Sequence, residues 1–213
     1  MISDRTMIKT TFSAESIMSL DGFSVEDLIS KARSFRQQGM NKKAIDTFRM
    51  ILAQQPENLE ILNEMGLAHI HIGEQSDAII VFDLAIDIAP KDYRGHSNKT
   101  EAYLTLGQFE VANTIADEAL KLLPDNAEIW TKKARALESL LQIQDAIDAY
   151  NEALKHDSGN PETWKALALC LDAQEKWAAV ARAYRIAANL HLKRGEMQDA
   201  DSCEKFAQMA ERT

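Results

Sequence analysis

Residues 59–92, LEILNEMGLAHIHIGEQSDAIIVFDLAIDIAPKD, decide the fold. Two amphipathic helical patterns lie back to back in this stretch, joined at Gly73 and closed by Pro90. Sliding the sequence against itself by 34 positions aligns Ala44, Ala78, Ala112 and Ala146, with Val180 completing the row. A second row holds Ile51, Ala85, Ala119, Ala153 and Ala187, and a third holds Ser34, Ala68, Ala102, Ala136 and Cys170. Phe48, Phe82, Tyr150 and Tyr184 share one more, in which Ala116 is the exception. A fixed period of this length in a helix–turn–helix pattern is the signature of a solenoid.

Composition agrees with that reading. Of the four prolines, Pro56, Pro90 and Pro124 are themselves 34 positions apart, so little in the chain interrupts helices or favours strands. A formal net charge of −9 disfavours nucleic-acid and anionic-membrane partners, whose phosphates repel such a surface. Two cysteines, Cys170 and Cys203, fit a reducing compartment better than a disulfide framework. The first 20 residues carry Asp4, Arg5, Lys9 and Glu15 and show no secretory pattern. The longest wholly apolar run, Ala166–Leu171, is far shorter than the ~20 residues of a spanning helix. A soluble, cytoplasmic chain is expected.

Taken in order, residues 1–24 form a leader outside the repeat, in which Ser13–Leu20 has the pattern of a short helix. Ser24 and Asp27 match a capping box that starts the first repeat helix near Val25. Five repeats follow, at 25–58, 59–92, 93–126, 127–160 and 161–194, with a capping helix in 195–213. Gly39, Gly73 and Gly107 stand at the inter-helix turn, where a left-handed residue caps a helix without steric cost. Leu141 and Glu175 occupy that place in the fourth and fifth repeats, so those turns either differ or bear about 1 kcal/mol of strain. The last helix, about 197–211, has one apolar face and one charged face, as the open end of a solenoid requires.

The small-residue rows have a packing cause, since paired helices approach closely only where side chains are short and a larger one fills the space opposite. Ala32, Gly66, Ala134 and Ala168 supply the short side on first helices, and the Phe/Tyr row supplies the filler. With Leu62, Met65, Gly66, Gly73, Ala78, Phe82, Ala85 and Pro90, the chain resembles the tetratricopeptide repeat family over residues 25–194. Lys31, Lys99 and Lys133 depart from its usual leucine, and Ser158 and Leu192 from its last prolines. The resemblance implies an all-α fold, a right-handed superhelical solenoid of antiparallel helix pairs. It also implies a protein-interaction role, in which first helices line a concave groove for an extended peptide or partner helix.

By the family's geometry the groove holds Arg33 from the first repeat, then Asn63, Leu67, Ile70 and His71 from the second. Arg94, Ser97, Asn98, Glu101 and Leu104 come from the third, and Arg135 from the fourth. Leu67, Ile70 and Leu104 are the apolar contacts, Asn98 the amide that holds a ligand backbone, and the arginines the charged selectivity. The carboxylate grip of chaperone-adaptor members survives only in fragments, because Glu64 and Glu128 stand where a carboxylate must be attracted.

Signals of catalysis are poor. Cys170 shares its row with serine and alanines and reads as a small buried filler. His69 shares a row with Phe35 and Tyr103, and His96 with Leu62 and Trp130, so both read as packing residues. No histidine pair has the i, i+4 spacing of a helical zinc site, so no metal and no cofactor is expected, and no enzyme. The expected partner is a protein or peptide, with no nucleic acid and no membrane, and the chain itself a monomer or weak homo-oligomer. A self-associating structural solenoid is the first alternative, and an RNA-binding helical repeat a weaker one.

Overall fold

In the computed structural model, residues 23–212 are described. The leader, and with it the short helix expected over Ser13–Leu20, lies outside the described residues. Among those described, every regular element is helical. Their contacts group into two compact units that divide after Pro90.

In the first unit, α1 (Val25–Gln37) and α2 (Asn41–Gln54) form one pair, and α3 (Leu59–His71) and α4 (Gln75–Ile88) the next. The second unit continues with α5 (Tyr93–Thr105), α6 (Phe109–Leu122), α7 (Ala127–Ser139) and α8 (Ile143–His156). It ends with α9 (Pro161–Asp172), α10 (Trp177–Arg194) and α11 (Met197–Ala210). The expected final helix is therefore present, amphipathic as foreseen, with Ala200, Cys203, Ala207 and Ala210 buried.

The two helices of each pair begin differently. First helices follow a loop and are started by a side chain that takes up an orphan N–H, as such caps do. Ser24 and Asp27 make the full capping box on α1. Asn58, Asp92, Asn126 and Asn160 cap α3, α5, α7 and α9 in turn. Second helices have no side-chain cap, because the tight turn before them does the work. At each turn an amide reaches back five residues: Met40 to Phe35, Glu74 to His69, Gln108 to Tyr103, Gln142 to Leu137, Lys176 to Leu171 and Glu196 to His191. This bond needs a left-handed residue one place earlier. Gly39, Gly73, Gly107 and Gly195 supply it at φ of 73°, 81°, 71° and 76°. Leu141 and Glu175 supply it at 60° and 57°. Those two turns are thus built like the others, and bear the strain.

The core follows the small-residue rows. Phe48, Ile51, Ile61 and Leu62 are buried in the first unit. Tyr150, Leu154, Leu167 and Ala187 lie in the main cluster of the second. Gly66 shows why the first-helix row is small: a Cβ there would stand 2.3 Å from Phe82 Cε1. Tyr150, fully buried, donates its hydroxyl to Glu138 Oε2 at 2.8 Å, and burial, with that bond next, raises its pKa. A repeated detail closes two loops, as the indoles of Trp130 and Trp164 donate to the carbonyls of Pro124 and Ser158, 34 residues apart.

Two substitutions check this account by denaturant unfolding. Gly66→Ala should destabilise the chain by about 1–3 kcal/mol, since the new methyl must displace the Phe82 ring from a packed core. Leu141→Gly should do the reverse, by up to about 1 kcal/mol. Leu141 is 82% exposed, so its side chain gives up almost no packing when the left-handed strain is removed.

Candidate partner-binding face

The residues expected in the groove fall on first helices, and each compact unit presents its own set. In the first unit Arg33 reaches from α1 to α3, its Nε 2.8 Å from Glu64 Oε1. Arg36 joins it, Nη1 to Glu64 Oε2 at 3.1 Å. Glu64 is thereby gripped by both guanidinium groups, and Glu60 takes a further bond from Arg33. These side chains wall an open cavity of about 780 Å³ lined by Arg33, Arg36, Gln37, Gly39, Asn41, Glu64 and His71. His71 is exposed at its rim, and Leu67 and Ile70 are half-buried on the same helix. Asn63 does not face the opening. It is buried, and its amide donates back to the Leu59 carbonyl at 2.8 Å.

In the second unit Arg94 turns back on its own helix cap, with Nε 3.0 Å from Asp92 Oδ1. That bond outweighs burial and holds the Asp92 carboxyl below its ordinary value. Glu101 lies between Lys132 Nζ at 2.9 Å and Arg135 Nη1 at 2.7 Å. Burial pushes its carboxyl up, but the hydrogen bonds and charges of Arg135 and Lys132 prevail, so the net shift is downward. Asn98 is half-buried on α5.

Two further expectations need correction here. Ser97 has no exposed surface and gives its hydroxyl to Glu128, so it is a buried link between α5 and α7. Leu104 is 8% exposed and packs with Ala112 and Ala136, which makes it core, not an apolar contact for a ligand.

The sequence reading missed the charge pairing. Arg33 to Glu64, Lys132 to Glu101 and Ser97 to Glu128 each span 31 residues, one repeat less one helical turn. Basic residues on one first helix, set against acids at that offset on the adjacent one, are the signal that reveals it. The thiols carry no such function. Burial, with Glu138 nearby, pushes Cys170 up to about 12, and burial raises Cys203 as well, so neither presents a ready thiolate.

Comparison with known proteins settles the family. A tetratricopeptide repeat model matches residues 29–93 and 100–161, more than half of the chain. The chain belongs to the tetratricopeptide repeat family. Its repeats form a helical scaffold of the kind that serves protein interaction. Tetratricopeptide repeat protein 34 of Xenopus laevis is 34% identical over 88 residues, which are 40% of this chain but only 16% of that protein's length. Among solved structures, the repeats are similar to a thermophilic TPR protein of Thermus thermophilus, TTC0263, with a TM-score of 0.68 at 17% identity. That similarity covers 87% of this chain and all of the other. MamA from Desulfovibrio magneticus RS-1 superposes with a TM-score of 0.59 at 15% identity, covering 88% of this chain and 95% of that one. PilF of Pseudomonas aeruginosa gives 0.63 at 14%, over 84% and 88%. At such identities the likeness is one of fold. No helix among the described residues is long and apolar enough to cross a membrane.

The Glu101 arrangement makes a pH-dependent prediction. A carboxyl whose folded-state value lies below the ordinary 4.5 stabilises the fold above that pH and loses the contribution as acid protonates it. Glu101→Gln should therefore melt at a lower temperature than the wild type at neutral pH, with the gap closing as the pH falls below 4.5. A gap that stays constant across the titration means that the Lys132–Glu101–Arg135 pairing is not what the substitution removed.

Proposed function

We propose that this chain is a non-enzymatic interaction scaffold that holds a protein segment against the exposed face of its first helices. The observation that carries the reading is the open cavity of the first unit, where Arg33, Arg36 and His71 converge. It is open and lined by polar and charged side chains, and the helix that supplies Glu64 and His71 also carries the half-buried Leu67 and Ile70, a combination suited to an extended peptide or one helix of a partner. In the second unit the half-buried Asn98 carries an amide, donor and acceptor in one group, of the kind that suits the backbone of an extended segment. The net charge of −9 points away from nucleic acid and towards a protein partner, and the reducing setting that two buried free thiols favour points to the cytoplasm.

Site-specific photo-crosslinking tests this in lysate of the native cell. A photoreactive residue in place of His71, at the cavity rim, should capture a defined partner band. The same residue in place of Asp46, on the exposed side of α2, should not. Asn98→Ala should reduce capture with unchanged helicity and melting. Equal capture at both positions, or capture only at Asp46, moves the binding surface off the first helices.

A further inference from the structure

Two of the six inter-helix turns share a string that the others lack. Residues 69–77 read HIHIGEQSD and residues 191–199 read HLKRGEMQD, both of the form H-x3-G-E-x2-D. At the other turns the histidine place is taken by Phe35, Tyr103, Leu137 and Leu171, and none of these turns carries both carboxylates. The histidine thus occurs only where both acids accompany it, once in each compact unit.

The two turns also share a geometry. His69 Nδ1 stands 2.7 Å from Glu74 Oε2, and His191 Nδ1 stands 2.6 Å from Glu196 Oε2. With Asp77 and Asp199, each set brings one imidazole nitrogen and two carboxylate oxygens within 4.8 Å of one another. Both histidines are 3% exposed and fixed in place, while the acids open to solvent and can adjust by rotation. Glu74 and Glu196 stand at the N-cap positions of α4 and α11, and their side chains are directed to the histidine rather than to the helix.

We propose that each turn binds a divalent transition-metal ion such as Zn²⁺, through His69, Glu74 and Asp77 in one unit and His191, Glu196 and Asp199 in the other. One neutral imidazole with two carboxylates balances the charge of a dication and suits the harder members of the nitrogen-and-oxygen class, water completing the shell. Ligand distances of about 2.0–2.2 Å require the histidine–glutamate contact to open slightly, which the exposed glutamate allows.

The outer surroundings of His191 point the same way. Its Nε2 is buried and makes no hydrogen bond, with Glu162 Oε1 3.7 Å away. In a neutral ring whose Nδ1 keeps the proton for Glu196, a lone pair on Nε2 is buried facing a carboxylate. If Nδ1 ligates a metal, the proton sits on Nε2 and points to Glu162, the carboxylate–histidine–metal order typical of ligating histidines.

Isothermal titration of the chelator-stripped full chain with Zn²⁺ tests the proposal. Two ions per chain are expected, with a raised melting temperature that EDTA reverses, because the ion ties the end of one helix to the start of the next. His69→Tyr and His191→Tyr should each remove one ion, and so should Glu74→Gln and Glu196→Gln. These replacements copy Tyr103 and Gln108 at the Gly107 turn, so the fold has a place for them, and melting of the metal-free variants verifies it. Glu162→Gln should weaken the second site alone, by roughly 10- to 100-fold. No binding at millimolar Zn²⁺, or binding that the histidine and glutamate variants leave unchanged, overturns the proposal. The turns are then hydrogen-bonded staples only, and any bound metal sits on scattered surface carboxylates.

Discussion

The stack depends on how closely an aromatic ring can approach the backbone of its partner helix. Phe82 occupies the space a side chain on residue 66 would need, and only glycine leaves that space open. The 34-residue register sets Ala32 with Phe48, Ala134 with Tyr150 and Ala168 with Tyr184. Where the ring is lost, at Ala116, the facing place carries Thr100, larger than its counterparts and fully buried. Bulk removed from one helix is restored on the other, as a core at crystal-like density demands. The register is therefore set by volume matching across each pair and not by any single residue type.

That packing dictates the path of the turn. Once two helices are held ring against backbone, the connection between them must reverse direction in a few residues, and a left-handed residue does this in the least space. Gly39, Gly73, Gly107 and Gly195 take the conformation at no steric cost, while Leu141 and Glu175 take it at a cost. Helix contacts on both sides overrule the local preference of those two residues. The tertiary structure chooses the turn, and the glycines make it easy.

The same hierarchy explains what the sequence disclosed. Helix pairs, turn positions, the buried Cys170 and the amphipathic last helix were legible, because each repeats a pattern read several times over. The lining of the first-helix face was legible only in part. Arg33, His71, Arg94 and Arg135 reach the surface, whereas Asn63, Ser97 and Leu104 are covered. A 34-residue period states which residues are equivalent, but not how wide an exposed face each pair leaves. Ser97 shows the difference, since it is buried and its hydroxyl is given to Glu128 on the next first helix, a contact offset by 31 residues. Histidine spacing along one helix likewise does not reveal the contacts of His69 and His191, because the acids near them come from across a turn.

The arginine–glutamate contacts also bear on what the proposed face can recognise. Arg33 and Arg36 already share Glu64, so a partner's carboxylate entering that cavity would exchange one acid for another at small net gain. An amide-bearing or apolar segment laid along Leu67 and Ile70 adds contacts and breaks none. In the second unit Glu101 likewise holds Lys132 and Arg135, fixing α5 against α7 before any partner arrives. The charges of Arg33, Arg36, Glu64, Glu101, Lys132 and Arg135 are thus committed to spacing first helices. Discrimination among partners falls to the shape of the face and to the hydrogen bonds it offers, and preorganisation by the ion pairs lowers the entropy lost on binding.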